Sequence, residues 1–248
     1  MLAPFVVMAA ACGGSGSDSA KLDTVPIQQA GPVGSGPDMV WFYRAEGKPR
    51  SLVIFLHGYG GAREETPVNH VAWLKHLARN GSDVIYPRYE RGGLPDPFPH
   101  LGAGVKAALS RLGNPKLPVV VIGYSRGGRI AVDYAAIQAA RGHEPRAVLA
   151  VFPGLNSIFE RLGPLDKLDA RTRIVMMVGD RDIGVGGAGA RAILARLQQA
   201  RFPPNRITVL PVRSTKTFSA THLSVLETTP GAQKAFWLPA DELIDSVR

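Results

Sequence analysis

The sequence predicts a single α/β domain: a mostly parallel central sheet with helices on both faces and no large cap domain. Three observations lead there. Short apolar runs, several of them β-branched, recur along the chain; amphipathic segments with helical spacing lie between them; and from Met39 onward the two kinds alternate. Strands of a parallel sheet are covered on both faces by crossover helices, so they read as continuous apolar runs. The length, 248 residues, suits one domain with one sizeable core.

The expected strands are Val40–Arg44, Leu52–Leu56, Val84–Tyr86, Val119–Ile122, Ala147–Phe152, Ile174–Val178 and Ile207–Val212. Between them, Val71, Leu74 and Leu77 make one helical stripe. Ile130, Tyr134 and Ile137, with Ala131 and Ala135 beside them, make a second, and Ile193, Leu194 and Leu197 a third. A last helix is expected over Asp241–Val247, after the cluster Phe236-Trp237-Leu238. The connection from Pro153 to Arg173 holds one short helix, Ser157–Leu162, and little else. The fold needs a helix there in any case, so an open site without a closed apolar tunnel is predicted.

Composition narrows the function. Apolar residues make 45% and charged residues 20%, as in an ordinary folded domain. The net charge is +9, yet the arginines are scattered and no basic block is interleaved with aromatics, so a nucleic-acid partner is not predicted. With Cys12 as the single cysteine, there is neither an intrachain disulfide nor a cysteine-based metal site. No His-x-x-x-His spacing suggests zinc, and the glycines at 58, 60 and 61 lack the downstream acid of a dinucleotide site.

The N-terminus has its own logic. Leu2 to Ala11 is apolar and ends in small residues, far short of the roughly 20 residues that span a bilayer but suited to a secretory signal. Ala9-Ala10-Ala11-Cys12 resembles a bacterial lipobox, which implies lipidation of Cys12 and attachment to a membrane of the cell envelope. Without such a signal the protein would be cytoplasmic. Residues 13–38, rich in Gly, Ser and Pro, are expected to be a flexible tether, and residues 39–248 the folded domain.

The chemistry centres on Val119-Val120-Val121-Ile122-Gly123-Tyr124-Ser125-Arg126-Gly127-Gly128. It reads as a strand, a Gly-x-Ser-x-Gly turn and a helix beginning near Arg129. A turn that sharp brings the positions two before and two after the serine together, and glycine at 123 and 127 removes the colliding side chains. The serine hydroxyl is then held out as a nucleophile beside the N–H groups of a helix start.

Three further segments stand in a telling order around it: Leu52–Leu56 followed by His57-Gly58-Tyr59-Gly60-Gly61, then, after the serine, Val178-Gly179-Asp180-Arg181-Asp182, and last Thr221-His222-Leu223. Together with the elbow they resemble the α/β-hydrolase family from about Val40 to the end of the chain. The resemblance implies Ser125 as nucleophile, His222 as general base and Asp182 as the acid that orients it. Asp180, two residues earlier, competes for the acid's place, and His57 competes as the base, but it precedes the serine and stands where the family has a loop-supporting histidine. His70, His76, His100 and His143 are expected in packing or surface roles. Backbone N–H groups of Tyr59 and Arg126 would form the oxyanion hole, with Tyr59, Phe152 and Leu155 walling a small acyl pocket. The implied activity is that of a carboxylic-ester hydrolase acting on a small-molecule or acyl-ester substrate without a cofactor. The same triad also serves thioesterases, amidases and acyltransferases. A reading of another class is a non-catalytic, lipid-anchored binding protein on the same fold, against which the full set Ser125, Asp182 and His222 argues.

Overall fold

The computed structural model describes residues 27–90, 96–155 and 161–248. Cys12 lies outside them, as do residues 157–160 of the expected helix Ser157–Leu162.

Among the described residues, eight strands form one sheet: β1 (Gln29–Val33), β2 (Val40–Tyr43), β3 (Ser51–Leu56), β4 (Ser82–Pro87), β5 (Val119–Tyr124), β6 (Ala147–Val151), β7 (Arg173–Gly179) and β8 (Ile207–Val212). Their spatial order is β1-β2-β4-β3-β5-β6-β7-β8. β2 runs antiparallel to both β1 and β4, and every pair from β4 through β3, β5, β6 and β7 to β8 is parallel. The parallel strands therefore all finish at one edge of the sheet, and the loops that leave this edge carry the site.

Helices cover both faces. α2 (Phe98–Leu112), α3 (Arg126–Ala139) and α4 (Ala188–Gln199) pack on one side, while α1 (Val71–Arg79) and the C-terminal run lie on the other. That run comprises α5 (Pro230–Ala232), a π-helical turn (Gln233–Trp237) and α6 (Leu238–Asp245). The pleat divides each strand between two cores. Leu52, Ile54 and Leu56 of β3 join the α2–α3–α4 side, and Val53 and Phe55 join the α1–α6 side. Both sets are fully or almost fully buried, which is why β3 reads as an unbroken apolar run.

The structure departs from expectation at several places. The stretch expected as tether holds β1 and a 3-10 turn, Gly36–Asp38, and Ile27 is already buried, so the folded domain begins well before residue 39. β1 is an edge strand interrupted by Pro32, which an edge tolerates because its outer N–H groups need no partner. α2 was not expected, although Phe98, Leu101, Val105, Ala108 and Leu112 form a buried stripe spaced by three or four residues. Gly102 and Gly104 weaken its helix propensity. At Gly104 a Cβ would lie 3.4 Å from the Asp38 carbonyl oxygen and from Pro87 Cβ, so this glycine lets the helix approach the sheet. α3 starts at Arg126 rather than near Arg129, and α6 starts at Leu238 rather than Asp241.

Candidate active site

Ser125 sits between the last residue of β5 and the first of α3, with φ 55° and ψ −122°. A non-glycine residue in that region costs roughly 1–3 kcal/mol and persists only where its surroundings enforce it. Here they do. Ser125 N–H donates to the Val151 carbonyl (2.9 Å), and its own carbonyl accepts from Gly128 N–H and Gly154 N–H, both at 2.9 Å. A Cβ on Gly123 would overlap the Gly127 carbonyl oxygen, and one on Gly127 would overlap the carbonyl oxygens of Leu56 and His57. The two glycines of the motif are thus required by backbone crossing backbone.

The other two predicted residues converge on the serine from neighbouring loops. β7 ends at Gly179, and the turn after it delivers Asp182, whose side chain is fully buried. Its Oδ1 accepts from the N–H groups of Gly184 (3.0 Å) and Val185 (3.1 Å). Its Oδ2 faces His222 Nδ1 at 2.9 Å, and His222 Nε2 faces Ser125 Oγ at 2.9 Å. A carboxylate only accepts, so Nδ1 carries the proton. In a neutral ring Nε2 is then an acceptor, and the Ser125 hydroxyl donates to it. Two more contacts hold the histidine: Tyr124 Oη donates to the His222 carbonyl (2.9 Å), and the Phe152 ring stacks against the imidazole with centroids 6.4 Å apart.

Asp180 takes no part in this arrangement. Its carboxylate is exposed and accepts from Ser214 Oγ (2.6 Å) and Ser214 N–H (2.9 Å), bonds that hold its pKa below the usual carboxylate range. Of the three residues expected to wall a pocket, Tyr59 and Leu155 are exposed, whereas Phe152 has no surface in contact with solvent. With φ 47°, its backbone turns the ring inward beneath His222, so it supports the imidazole from below and does not form a wall.

The expected oxyanion donors also flank the serine. Arg126 is the first residue of α3, and a Cβ on Gly154 would stand 3.3 Å from its amide nitrogen, so glycine keeps that N–H approachable. Gly58 packs so closely that a Cβ there would stand 3.2 Å from Ser125 Cβ, which brings the chain entering Tyr59 against the elbow.

Behind that loop lies a buried polar layer that sequence reasoning largely missed. His57 Nδ1 faces the Gly58 carbonyl (2.7 Å) and Nε2 faces the Arg88 carbonyl (2.5 Å), while Tyr89 Oη donates to the His57 carbonyl. Burial pulls the His57 pKa below its ordinary value of 6.5, although both carbonyls favour the protonated ring. Glu64 packs against Gly60, bonds His70 Nε2 (3.3 Å) and accepts from Asn69 Nδ2 (2.5 Å). Burial raises the Glu64 pKa, but His70 and Asn69 outweigh it and leave the group below its ordinary 4.5. Glu90 forms a buried ion pair with the side chain of Arg126. The expectation of packing or surface roles fits the remaining histidines: His76 bonds Asp241 and His100 bonds Asp38, each at 2.7 Å, and His143 is exposed. Among the described residues, no group of three or more His, Cys, Asp or Glu is placed to hold a metal ion.

No family model matches the chain. No curated protein matches it either. Solved structures do. Carboxyl esterase 2 from the mycorrhizal fungus Tuber melanosporum superposes with a TM-score of 0.61 at 18% identity, over 90% of this chain and 87% of that one. MGS-M1, an α/β-hydrolase enzyme from a Medee basin deep-sea metagenome library, gives 0.58 at 18% identity over 88% and 98%. Esterase B from Lactobacillus rhamnosis gives 0.59 at 17% identity over 85% and 81%. With the strand order above, these likenesses show that the chain has the α/β-hydrolase fold.

Proposed function

We propose that this protein is a serine hydrolase that cleaves carboxylic esters through an acyl-enzyme on Ser125. One observation carries the reading: on a strained elbow, Ser125 Oγ, the His222 ring and the Asp182 carboxylate form an unbroken relay of two 2.9 Å hydrogen bonds. In the first half-reaction Ser125 Oγ attacks the ester carbonyl while its proton passes to His222 Nε2. The tetrahedral oxyanion is met by the N–H groups of Tyr59 and Arg126, a contribution of roughly 3–4 kcal/mol per donor. Collapse breaks the bond to the alcohol, which leaves with the proton from His222. Water repeats the sequence on the acyl-enzyme, giving the acid and restoring the serine. Asp182 keeps the proton on Nδ1 throughout and stabilises the imidazolium. No cofactor is needed. Named esterases among the similar folds support the ester as substrate class.

The test is covalent labelling with a fluorophosphonate probe together with turnover of p-nitrophenyl esters. Wild-type protein should label and Ser125→Ala should not. Ser125→Ala and His222→Ala should each lower kcat by roughly 10⁴-fold or more with the fold intact. Absence of labelling in well-folded wild-type protein would leave the binding-protein reading in its place.

A further inference from the structure

Among the described residues, eight large apolar side chains are exposed, and five stand at the edge of the sheet where the site lies. They are Tyr59 (68%) and Val68 (54%) on the loop after β3, Leu155 (58%) after β6, Ile183 (101%) after β7 and Leu223 (65%) after β8. Each loop also carries part of the site. Tyr59 follows Gly58, which packs on Ser125; Leu155 follows Gly154, which flanks the Arg126 amide; Ile183 follows Asp182; and Leu223 follows His222. Four of the five are thus chain neighbours of site residues, and Val68 lies farther along the loop after β3, beside α1. They extend beyond a pocket for a small ester, because a pocket wall is shielded by its neighbours and Ile183 is shielded by nothing.

Among the described residues of the same loops, Arg161, Lys167 and Arg171 are exposed but ion-paired, whereas four exposed cations, Arg63, Arg181, Arg213 and Lys216, are in no ion pair. Arg181 has one side-chain bond, to Ser219 Oγ at 3.4 Å. Among the described residues, the exposed carboxylates on these loops are Asp166, paired with Lys167, Asp180, engaged by Ser214 and near Arg181 and Arg213, and Glu227. An apolar edge bordered by unpaired cations, on a chain of net charge +9, complements a surface that is apolar inside and anionic at its boundary. We propose that this edge, with the mouth of the site at its centre, docks on anionic lipid bilayers. Ile183 and Leu223 enter the boundary between headgroups and acyl chains, and the cations meet the headgroups. Ser125 then faces the membrane plane.

The assignment stands apart from the hydrolase reading and from lipidation, and its test separates all three. The full chain carrying Cys12→Ser is mixed with phosphatidylcholine vesicles with and without about 30% phosphatidylglycerol, at low and high salt, and sedimented. Binding should require the anionic lipid and weaken with salt. Ile183→Ser combined with Leu223→Ser should lower partitioning by about tenfold or more while leaving turnover of dissolved p-nitrophenyl butyrate within about twofold. Arg213→Gln combined with Lys216→Gln should lower it several-fold and flatten its salt dependence. Ser125→Ala should bind like its parent, since docking needs no chemistry. Partitioning that ignores phosphatidylglycerol, or that the Ile183/Leu223 pair leaves unchanged, overturns the proposal. If that pair fails to fold, unchanged binding in the Arg213/Lys216 pair does the same.

Discussion

The two walls of the site are held in different ways. On one wall, the elbow and the loop after β3 lie against buried side chains: His57, Glu64, His70, Tyr89 and Glu90 are all within the interior. On the other, Asp182 and His222 come from loops after β7 and β8 that are tied by backbone bonds, Asp180 N–H to the Val212 carbonyl (3.1 Å) and Arg181 N–H to the Ala220 carbonyl (3.3 Å), and by exposed side-chain bonds such as those from Ser214 to Asp180. Much of this second wall is exposed, including Asp180, Arg181, Ile183 and Leu223. The first wall holds its geometry through the buried side chains behind it. The second holds its geometry through the turn that caps Asp182 and through Gly179, where a Cβ would overlap the Ala220 carbonyl. A single kind of substitution should therefore cost far more in the packed elbow than in the open turn after Asp182.

Glycine-to-alanine exchange breaks the comparison most sharply. In Gly127→Ala the new methyl overlaps two backbone oxygens of β3 and His57, neither of which can move without moving the sheet. We expect a loss of about 4 kcal/mol or more, a drop in Tm on the order of 10 °C for a domain of this size. In Gly184→Ala the methyl meets Asp182 Oδ1 at 3.4 Å and His222 Cβ at 3.7 Å, ordinary van der Waals contacts. Its cost should stay within about 0.5 kcal/mol. Equal Tm values for the two variants in thermal denaturation would show that the turn after Asp182 tolerates a methyl no better than the elbow does.

How much of this could be read beforehand depends on sequence distance. The elbow was legible because its requirement is local: a strand, two glycines flanking a serine by two residues, and a helix. Asp182 and His222 were legible only through the resemblance to the α/β-hydrolase family, with Asp180 left as a competitor, and the structure brings Asp182 and His222 to the serine. The polar layer was not. Tyr89 and Glu90 act on His57 and Arg126, more than 30 residues away, and nothing near them in the sequence marks the contact. Phe152 was legible as an apolar residue near the site, but its place beneath His222 follows from a positive φ that no local pattern announces. β1 escaped because a short edge strand broken by Gly31-Pro32 carries no apolar run.

Side-chain removal should separate the walls by a smaller margin. His57→Ala takes away the hydrogen bond that the neutral ring donates to one of the two carbonyls it faces, Gly58 or Arg88, and leaves a cavity, so it should cost about 2–4 kcal/mol in stability. Loosening the Tyr59 amide should also lower kcat about 10- to 100-fold, with KM little changed. Asp180→Ala removes exposed hydrogen bonds to Ser214 and should leave stability close to wild type and change kcat by less than about threefold. Chemical denaturation and steady-state kinetics on both variants measure this. A large loss of kcat in Asp180→Ala would move the acid from Asp182 to Asp180.

The smallest effect is one of pH, and its sign follows from the shifts on the buried wall. His57 has a folded pKa below 6.5 because burial disfavours the charged ring. The unfolded chain thus takes up a proton first as pH falls, and stability that is complete above 6.5 declines below it. Glu64 also has a folded pKa below its ordinary 4.5, since His70 and Asn69 outweigh burial. Its contribution is complete above 4.5 and fades as pH falls through the lower folded value. In Glu64→Gln the amide oxygen can still accept from Asn69, but the titration is gone. The variant's Tm should therefore run parallel to wild type from pH 7.5 to about 4.5 and fall less steeply below that point. Exposed Asp180 also has a lowered pKa, so Asp180→Asn measures the same quantity on the open wall, where solvent screens the charge. The flattening should be larger for Glu64→Gln than for Asp180→Asn. Curves that flatten equally would mean that the buried Glu64–His70 pair holds its wall no more firmly than two exposed bonds to Ser214 hold theirs.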